Sequence, residues 1–314
     1  MNISRTFLLG LLILLTLSLA TLAVPPQAEP TLSDFYRFRV GEAQVTVLLD
    51  GVSSKEPHTI ALQPEKVKEL LAEKRRSIPL ASSYNVFLIH TGTRLVLVDA
   101  GGGKGMGKLG HLVESLNMAG YQPEQIDAVL ITHFHPDHIG GLVTNGELTF
   151  PNAEVFCDSR ESDYWLSEAE EEKAPEELKE RFGLAQSVFA PIQKADKLRP
   201  FPSGETLFPG IQAVPQPGHS PGHTGYLIEG NQHDLLLWGD IVHIEDAQFP
   251  EPGIAVKYDG SPQEAIESRR EIFRRAFDKK LLVGGAHISF PGVGQVLKTE
   301  TGYRWIAVPY GQDF

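Results

Sequence analysis

Residues 132–141 read Thr132-His133-Phe134-His135-Pro136-Asp137-His138-Ile139-Gly140-Gly141, directly after the apolar run Ala128-Val129-Leu130-Ile131. Three imidazoles and a carboxylate within six positions are far denser than 11 histidines spread over 314 residues would give by chance. Alternate side chains of an extended segment point the same way, so His133 and His135 face one point. Pro136 favours a turn into a helix start, which brings Asp137 and His138 round from the other side. A chain carrying this stretch must end a buried strand in a cluster of nitrogen and oxygen donors. That is the donor set of zinc or a similar transition metal.

At 314 residues, with 41% hydrophobic and 22% charged residues, the chain can bury a large α/β core as one domain or two. A formal charge of -12 excludes nucleic acid as a partner, because phosphate binding needs a basic face. The amino terminus reads as an export signal. Arg5 gives a short positive region, residues 7–19 are almost wholly apolar, and small residues follow at Ser18 and Ala20 or at Thr21 and Ala23. Pro25 and Pro26 then break any continuing helix. An uncleaved anchor is the alternative, since the apolar run approaches the ~18 residues at which spanning begins. The expected organisation is a signal peptide over 1–23, a linker over 24–34 and one domain over 35–314. Such a protein is periplasmic or secreted, without stable membrane association once the signal is removed. Cys157 is the sole cysteine, so no intramolecular disulfide forms, and its apolar surroundings predict a small buried hydrophobe.

Alternation predicts opening strands over 35–50, strands over 85–90 and 95–98, and further strands over 153–156, 211–214, 225–229, 235–238 and 281–283. Helical spacing predicts helices over 65–76, 109–119, 160–165 and 261–277. The Glu- and Lys-rich stretch 167–181 reads as a solvated helical face interrupted at Pro175, with Phe182, Leu184 and Phe189 turned inward. Between the strand at 95–98 and the helix at 109–119, Gly105, Gly107 and Gly110 satisfy G-x-G-x-x-G, and Asp127 lies at a suitable distance for a ribose partner. This allows a nucleotide-binding oxidoreductase. Paired strands precede the loop, however, and Leu109 stands where a P-loop needs Ser or Thr. A glycine loop beside a metal centre is the better reading.

Three further polar residues follow strands: His219 after Val214, Asp240 after residues 235–238, and His287 after residues 281–283. Strand ends are the usual address of site residues in layered α/β folds. With the first four they make seven donors, enough for two metals sharing a carboxylate.

In order and context, His133, His135, Asp137, His138, His219, Asp240 and His287 resemble the metal signature of the metallo-β-lactamase superfamily. Val98-Asp99-Ala100-Gly101 is similar to its strand-to-loop element. The passages 120–125, 160–167, 218–224, 286–292 and 302–304 resemble its methyl parathion hydrolase group and, more distantly, the metallo-lactonases.

The resemblance implies a four-layer αββα sandwich with the metals at one edge of the two sheets. It implies that His133, His135 and His219 hold one divalent ion, that Asp137, His138 and His287 hold another, and that Asp240 bridges them. Zinc is the expected metal, with manganese, iron or cobalt as alternatives. Asp99 orients the ligands, and Asp137 and Asp240 are the catalytic carboxylates, Asp137 with proton-shuttle duty. His223 is structural, and His243, just past Asp240, is close enough to the centre for a role at its rim to stay open. His58, His90, His111 and His233 have no counterpart and are surface or core residues.

A hydroxide held between the ions would attack an ester-like bond of a small-molecule substrate: a phosphotriester, an aryl ester or a lactone. Met106, Trp165 and Phe182 are the candidate apolar wall above the metals, suiting neutral substrates. The lactonase-like proteins place a tyrosine shortly after the bridging carboxylate, whereas Ile241-Val242-His243-Ile244 has none. A dinuclear iron redox protein on the same scaffold is a further alternative, and the related hydrolases imply a homodimer.

Overall fold

The alternation near the start of the domain builds sheet. In β1 (Phe35–Val40) every second side chain, Tyr36, Phe38 and Val40, is buried, and β1 pairs antiparallel with β2 (Ala43–Lys55). The structure is a computed structural model that describes residues 34–309, 311 and 314. The signal peptide over 1–23 and all of the linker save Asp34 lie outside the described residues. Within them no helix is long and apolar enough to cross a membrane.

Chain order continues through α1 (Pro57–Ile60), α2 (Pro64–Glu73), β3 (Leu80–His90), β4 (Leu95–Val98), α3 (Leu112–Met118), β5 (Ala128–Leu130) and α4 (Pro136–Ile139). A small hairpin, β6 (Val143–Thr144) and β7 (Glu147–Leu148), leads to β8 (Glu154–Asp158), α5 (Ser159–Trp165), α6 (Glu168–Lys173), α7 (Glu176–Lys194) and β9 (Leu198–Phe201). The second half holds β10 (Thr206–Phe208), β11 (Ile211–Pro215), β12 (Thr224–Ile228), β13 (Leu235–Leu237), α8 (Glu245–Gln248), α9 (Pro262–Asp278), β14 (Leu282–Gly284), β15 (Val293–Lys298) and β16 (Tyr303–Ala307).

These strands form two seven-stranded sheets, β1-β2-β3-β4-β5-β8-β9 and β10 to β16 in sequence order. Strands β4, β5, β8 and β9 run parallel, as do β13 and β14. The parallel strands β4, β5, β13 and β14 are unbroken apolar runs buried throughout, as strands covered on both faces must be. One core lies between the sheets, where Phe38, Val47, Phe87 and Val96 meet Ala213, Tyr226, Leu237 and Leu282. A second covers the outer face of the first sheet, where Leu116 of α3 and Phe182, Ala185 and Phe189 of α7 pack on Val129 and Val155. The third puts Ile272 and Phe273 of α9 on Leu236 and Val283 of the second sheet. The layers are therefore α, β, β, α, as expected. Cys157, in β8, is fully buried.

The glycine loop has a specific structural explanation. Asp50, buried in β2, accepts hydrogen bonds from the backbone N–H of Gly102 at 2.9 Å, Gly110 at 3.2 Å and Leu112 at 3.0 Å. The N–H of Gly110, the last glycine of the motif, is thus turned onto the protein's own carboxylate together with those of its flanking residues Gly102 and Leu112. Gly101 lies at φ +68°, where an added Cβ would run into that carboxylate, so glycine is required there. Burial pushes the Asp50 carboxyl up, and the three N–H groups hold it down. In Asp50→Asn an amide NH2 must face an N–H donor, which is expected to cost about 2 kcal/mol of stability in a denaturant titration. An unchanged midpoint would mean that the loop is held by something else.

Candidate metal centre

Every expected donor sits just past a strand end on one edge of the sandwich. Asp99 follows β4, the His133–His138 motif follows β5, His219 follows β11, Asp240 follows β13 and His287 follows β14. His135 is extended and caps α4, whose first residue is Pro136, so Asp137 and His138 turn back toward His133 as the proline predicts. The donor atoms of His133, His135, His219 and Asp240 lie within 4.8 Å of one another, and so do those of Asp137, His138 and His287. A third such group is Asp240, His243 and His287.

Asp240 is the hub. One or other of its carboxylate oxygens lies 3.7 Å from His133 Nε2, 3.2 Å from His138 Nε2, 3.3 Å from His219 Nε2, 3.0 Å from His243 Nε2 and 3.1 Å from His287 Nε2. The donor set fits a metal on its own evidence. Nε2 of His133, His138 and His219 and Oδ1 of Asp240 are buried without a hydrogen bond. Buried polar atoms are normally paired, and atoms that ligate an ion are the standard exception.

The other ring nitrogens are fixed from behind. His138 Nδ1 is 2.8 Å from Asp99 Oδ2, and Asp99 also accepts from Thr132 N at 2.7 Å and Thr132 Oγ1 at 2.8 Å. His219 Nδ1 is 2.8 Å from Asp259 Oδ1, a residue that sequence reasoning missed. Carboxylates behind metal-ligating imidazoles fix the tautomer and raise ligand basicity. Glu161, also missed, is fully buried at the start of α5 and accepts from Phe134 N at 2.9 Å, Gly222 N at 2.7 Å and Ser220 Oγ. It ties the His133–His135 strand end to the His219 loop. His223 is structural, as read: its Nδ1 meets Gln216 O at 3.0 Å and its Nε2 accepts from Asp240 N at 3.0 Å. His243, whose place three positions after Asp240 left a role at the rim open, lies inside the cluster.

Burial is the largest influence on every group here. It drives His133 and His135 well below the ordinary histidine value, His223 to about 3 and His243 to about 4. In His138 and His219 burial is outweighed by carboxylates: Asp240, Asp99 and Asp137 raise His138, while Asp240 and Asp259 raise His219 to about 9. Burial alone would raise Asp240, yet His138, His287 and His243 hold it well below the carboxylate range.

In the metal-free protein His138 and His219 stay protonated above the unfolded value of 6.5, so their stabilisation is full below 6.5 and is lost as the pH rises toward about 9. His133, His135 and His243 are held neutral and take up protons on unfolding, so stability also falls as the pH drops below 6.5. The thermal midpoint of chelator-treated protein is expected to peak near pH 6.5. A midpoint rising steadily through that value contradicts these placements.

A family model described as the metallo-beta-lactamase superfamily matches residues 81–287. The chain belongs to the metallo-β-lactamase superfamily. It is a metal-dependent hydrolase of that superfamily, and its His/Asp cluster is the metal-binding site. The structure of the hydrolase AbOPH is 30% identical, with a TM-score of 0.85, covering 90% of this chain and 100% of its own. AidC, a dizinc quorum-quenching lactonase, is 28% identical, with a TM-score of 0.82, covering 89% of this chain and 99% of its own. An N-acyl homoserine lactonase of Bacillus cereus is 32% identical over 127 residues, 40% of this chain and 42% of that one.

The apolar wall needs correction. Met106 lines the cavity of about 220 Å³ over the donors, together with Lys55, Tyr84, Arg181 and Tyr258. Trp165 lines a neighbouring cavity of about 480 Å³ and meets His135 edge-on at 5.9 Å. Phe182 lines neither: it is fully buried, 4.8 Å from the Trp165 ring, because helical spacing turns it with Ala185 and Phe189 into the outer core.

Proposed function

We propose that this superfamily member is a dinuclear hydrolase of ester-like bonds, with phosphotriesters, aryl esters and lactones as the candidate substrates. The observation that carries the reading is the division of the donors into two groups that meet at Asp240. His133, His135 and His219 would hold one divalent ion, Asp137, His138 and His287 the other, and Asp240 both. Zinc is the metal we favour, supported by the dizinc likeness of AidC. When bound, the pair supplies Lewis acidity and a hydroxide nucleophile at neutral pH.

The chain's own groups then divide the work. Asp99 and Asp259 hold the imidazoles of His138 and His219 in fixed tautomers, so the donors are arranged before substrate arrives. Asp137 is the partly exposed carboxylate of the cluster and lines the cavity, which supports the role we assign it of carrying a proton from the nucleophile to the leaving oxygen. No side-chain nucleophile is required. Cys157 is buried away from the cavity, and burial pushes its thiol up. We further propose that the chain is exported, resting on its amino-terminal sequence, and that it acts as a homodimer, resting on its likeness to the related hydrolases.

A hydrolysis panel on zinc-loaded protein tests the reading, with phosphotriesters, lactones, aryl esters and β-lactams as substrates. Turnover of at least one ester class that is lost on chelation and restored by zinc is expected. Chelator-insensitive turnover, or none beyond β-lactams, would overturn it.

A further inference from the structure

The cavity over the donors carries two cations that its ligand set does not use. Lys55, at the end of β2, and Arg181, on α7, both line it, and both are half-buried. Among the described residues neither makes an ion pair, whereas Arg76, which shares a cavity with Lys55, is paired with Asp246 at 2.6 Å. Each is instead held over a tyrosine: Lys55 Nζ 4.8 Å from the Tyr84 ring, and the Arg181 guanidinium 5.9 Å from the Tyr258 ring. Those rings in turn abut the cluster, Tyr84 at 4.9 Å from His287 and Tyr258 at 6.2 Å from His243.

The two cations serve different flanks. Lys55 shares a cavity with His243 and His287 and acts electrostatically on Asp137. Arg181 acts on His135 and stands where the donor cavity meets the 480 Å³ cavity lined by Trp165, Leu178 and Tyr258. A cation–π seat fixes a charged head without neutralising it, so both charges stay available to a ligand. What sets these two cations apart in a chain of net charge -12 is their place: both are half-buried in the cavity over the donors.

We propose that the cleft selects esters carrying a carboxylate near the scissile bond, and that Arg181 and Lys55 are the specificity-determining residues that hold it. This rests on the hydrolase reading above, and it replaces the neutral substrate that an apolar wall would suit. Stabilisation of developing negative charge alone would favour neutral and acidic esters equally, so a ratio separates the two roles.

The test uses the zinc-loaded full chain with two 4-nitrophenyl esters of equal length, the glutarate half-ester and the valerate ester. Wild type is expected to favour the glutarate ester in kcat/KM. Arg181→Gln and Lys55→Met should each lower the glutarate-to-valerate ratio about tenfold, and Arg181→Lys should lower it less. A ratio unchanged in both charge-removing variants overturns the proposal while leaving the hydrolase reading intact. Calorimetric binding of free glutarate separates the two readings. If neither ester is cleaved but glutarate binds to wild type and not to Arg181→Gln, the anion site stands and the ester reading falls. Glutarate binding that is absent in wild type, or unchanged from wild type in both charge-removing variants, overturns the proposal.

Discussion

Asp240→Asn is expected to abolish hydrolysis, lowering kcat/KM by more than about a thousandfold, and to leave the protein unable to retain a full complement of metal. The substitution keeps the size of the side chain and the backbone bond from Asp240 N to His223 Nε2, so the loop retains its support. What disappears is the negative charge at the meeting point of five imidazoles, each within 4.0 Å of the carboxylate. Without it, His138 and His219 lose their strongest common partner in the buried cluster. Removing one member of such a buried pair typically costs 3–5 kcal/mol, on the order of what is expected for the metal-free variant. Metal analysis, kinetics and chemical denaturation each read one consequence. Wild-type metal content together with wild-type turnover would remove Asp240 from the centre.

The second large effect is expected at Glu161, which touches none of the donors. Its Oε2 accepts from Phe134 N, while its Oε1 accepts from both Gly222 N and Ser220 Oγ. In Glu161→Gln either orientation of the amide sets an NH2 group against a backbone N–H. The better orientation keeps Gly222 and Ser220 and sacrifices Phe134, the residue between His133 and His135. A donor facing a donor in a site with no access to water costs about 2–4 kcal/mol. The strain falls on the two histidines beside it, so metal affinity should drop about 10–100-fold. Competition with a chromophoric chelator measures that affinity. Unchanged affinity combined with reduced stability would make Glu161 a residue of the fold alone.

The seven donors were legible because each obeys a local rule. His133 and His135 follow the two-residue period of a strand, Pro136 starts a helix, and His219, Asp240 and His287 follow apolar strand runs. Asp50, Glu161 and Asp259 were not legible for the opposite reason. Each acts through a partner 40 to 62 residues away, at Leu112, Gly222 and His219, and nothing nearby marks it. The glycine loop shows the same limit from the other side. Its spacing suits a phosphate cradle, and only the tertiary placement of Asp50 reveals that the N–H groups of Gly102 and Gly110 hold a carboxylate of the chain itself. Strand β16 escaped the sequence reading because its side chains are half-buried or exposed at the sheet edge, and its neighbour β15 because its burial stops at Val296, without an apolar run. Phe182 was placed over the metals by likeness. The helical period of α7 put it in the core.

One carboxylate, Asp240, is expected to join two metal sites on this chain, and zinc titration of chelator-treated protein decides whether it does. The expected result is that bound zinc and hydrolytic rate both saturate at two ions per chain in wild type and that the second equivalent is lost in Asp240→Asn. Saturation of rate at a single ion, or hydrolysis that persists without any metal, would contradict it.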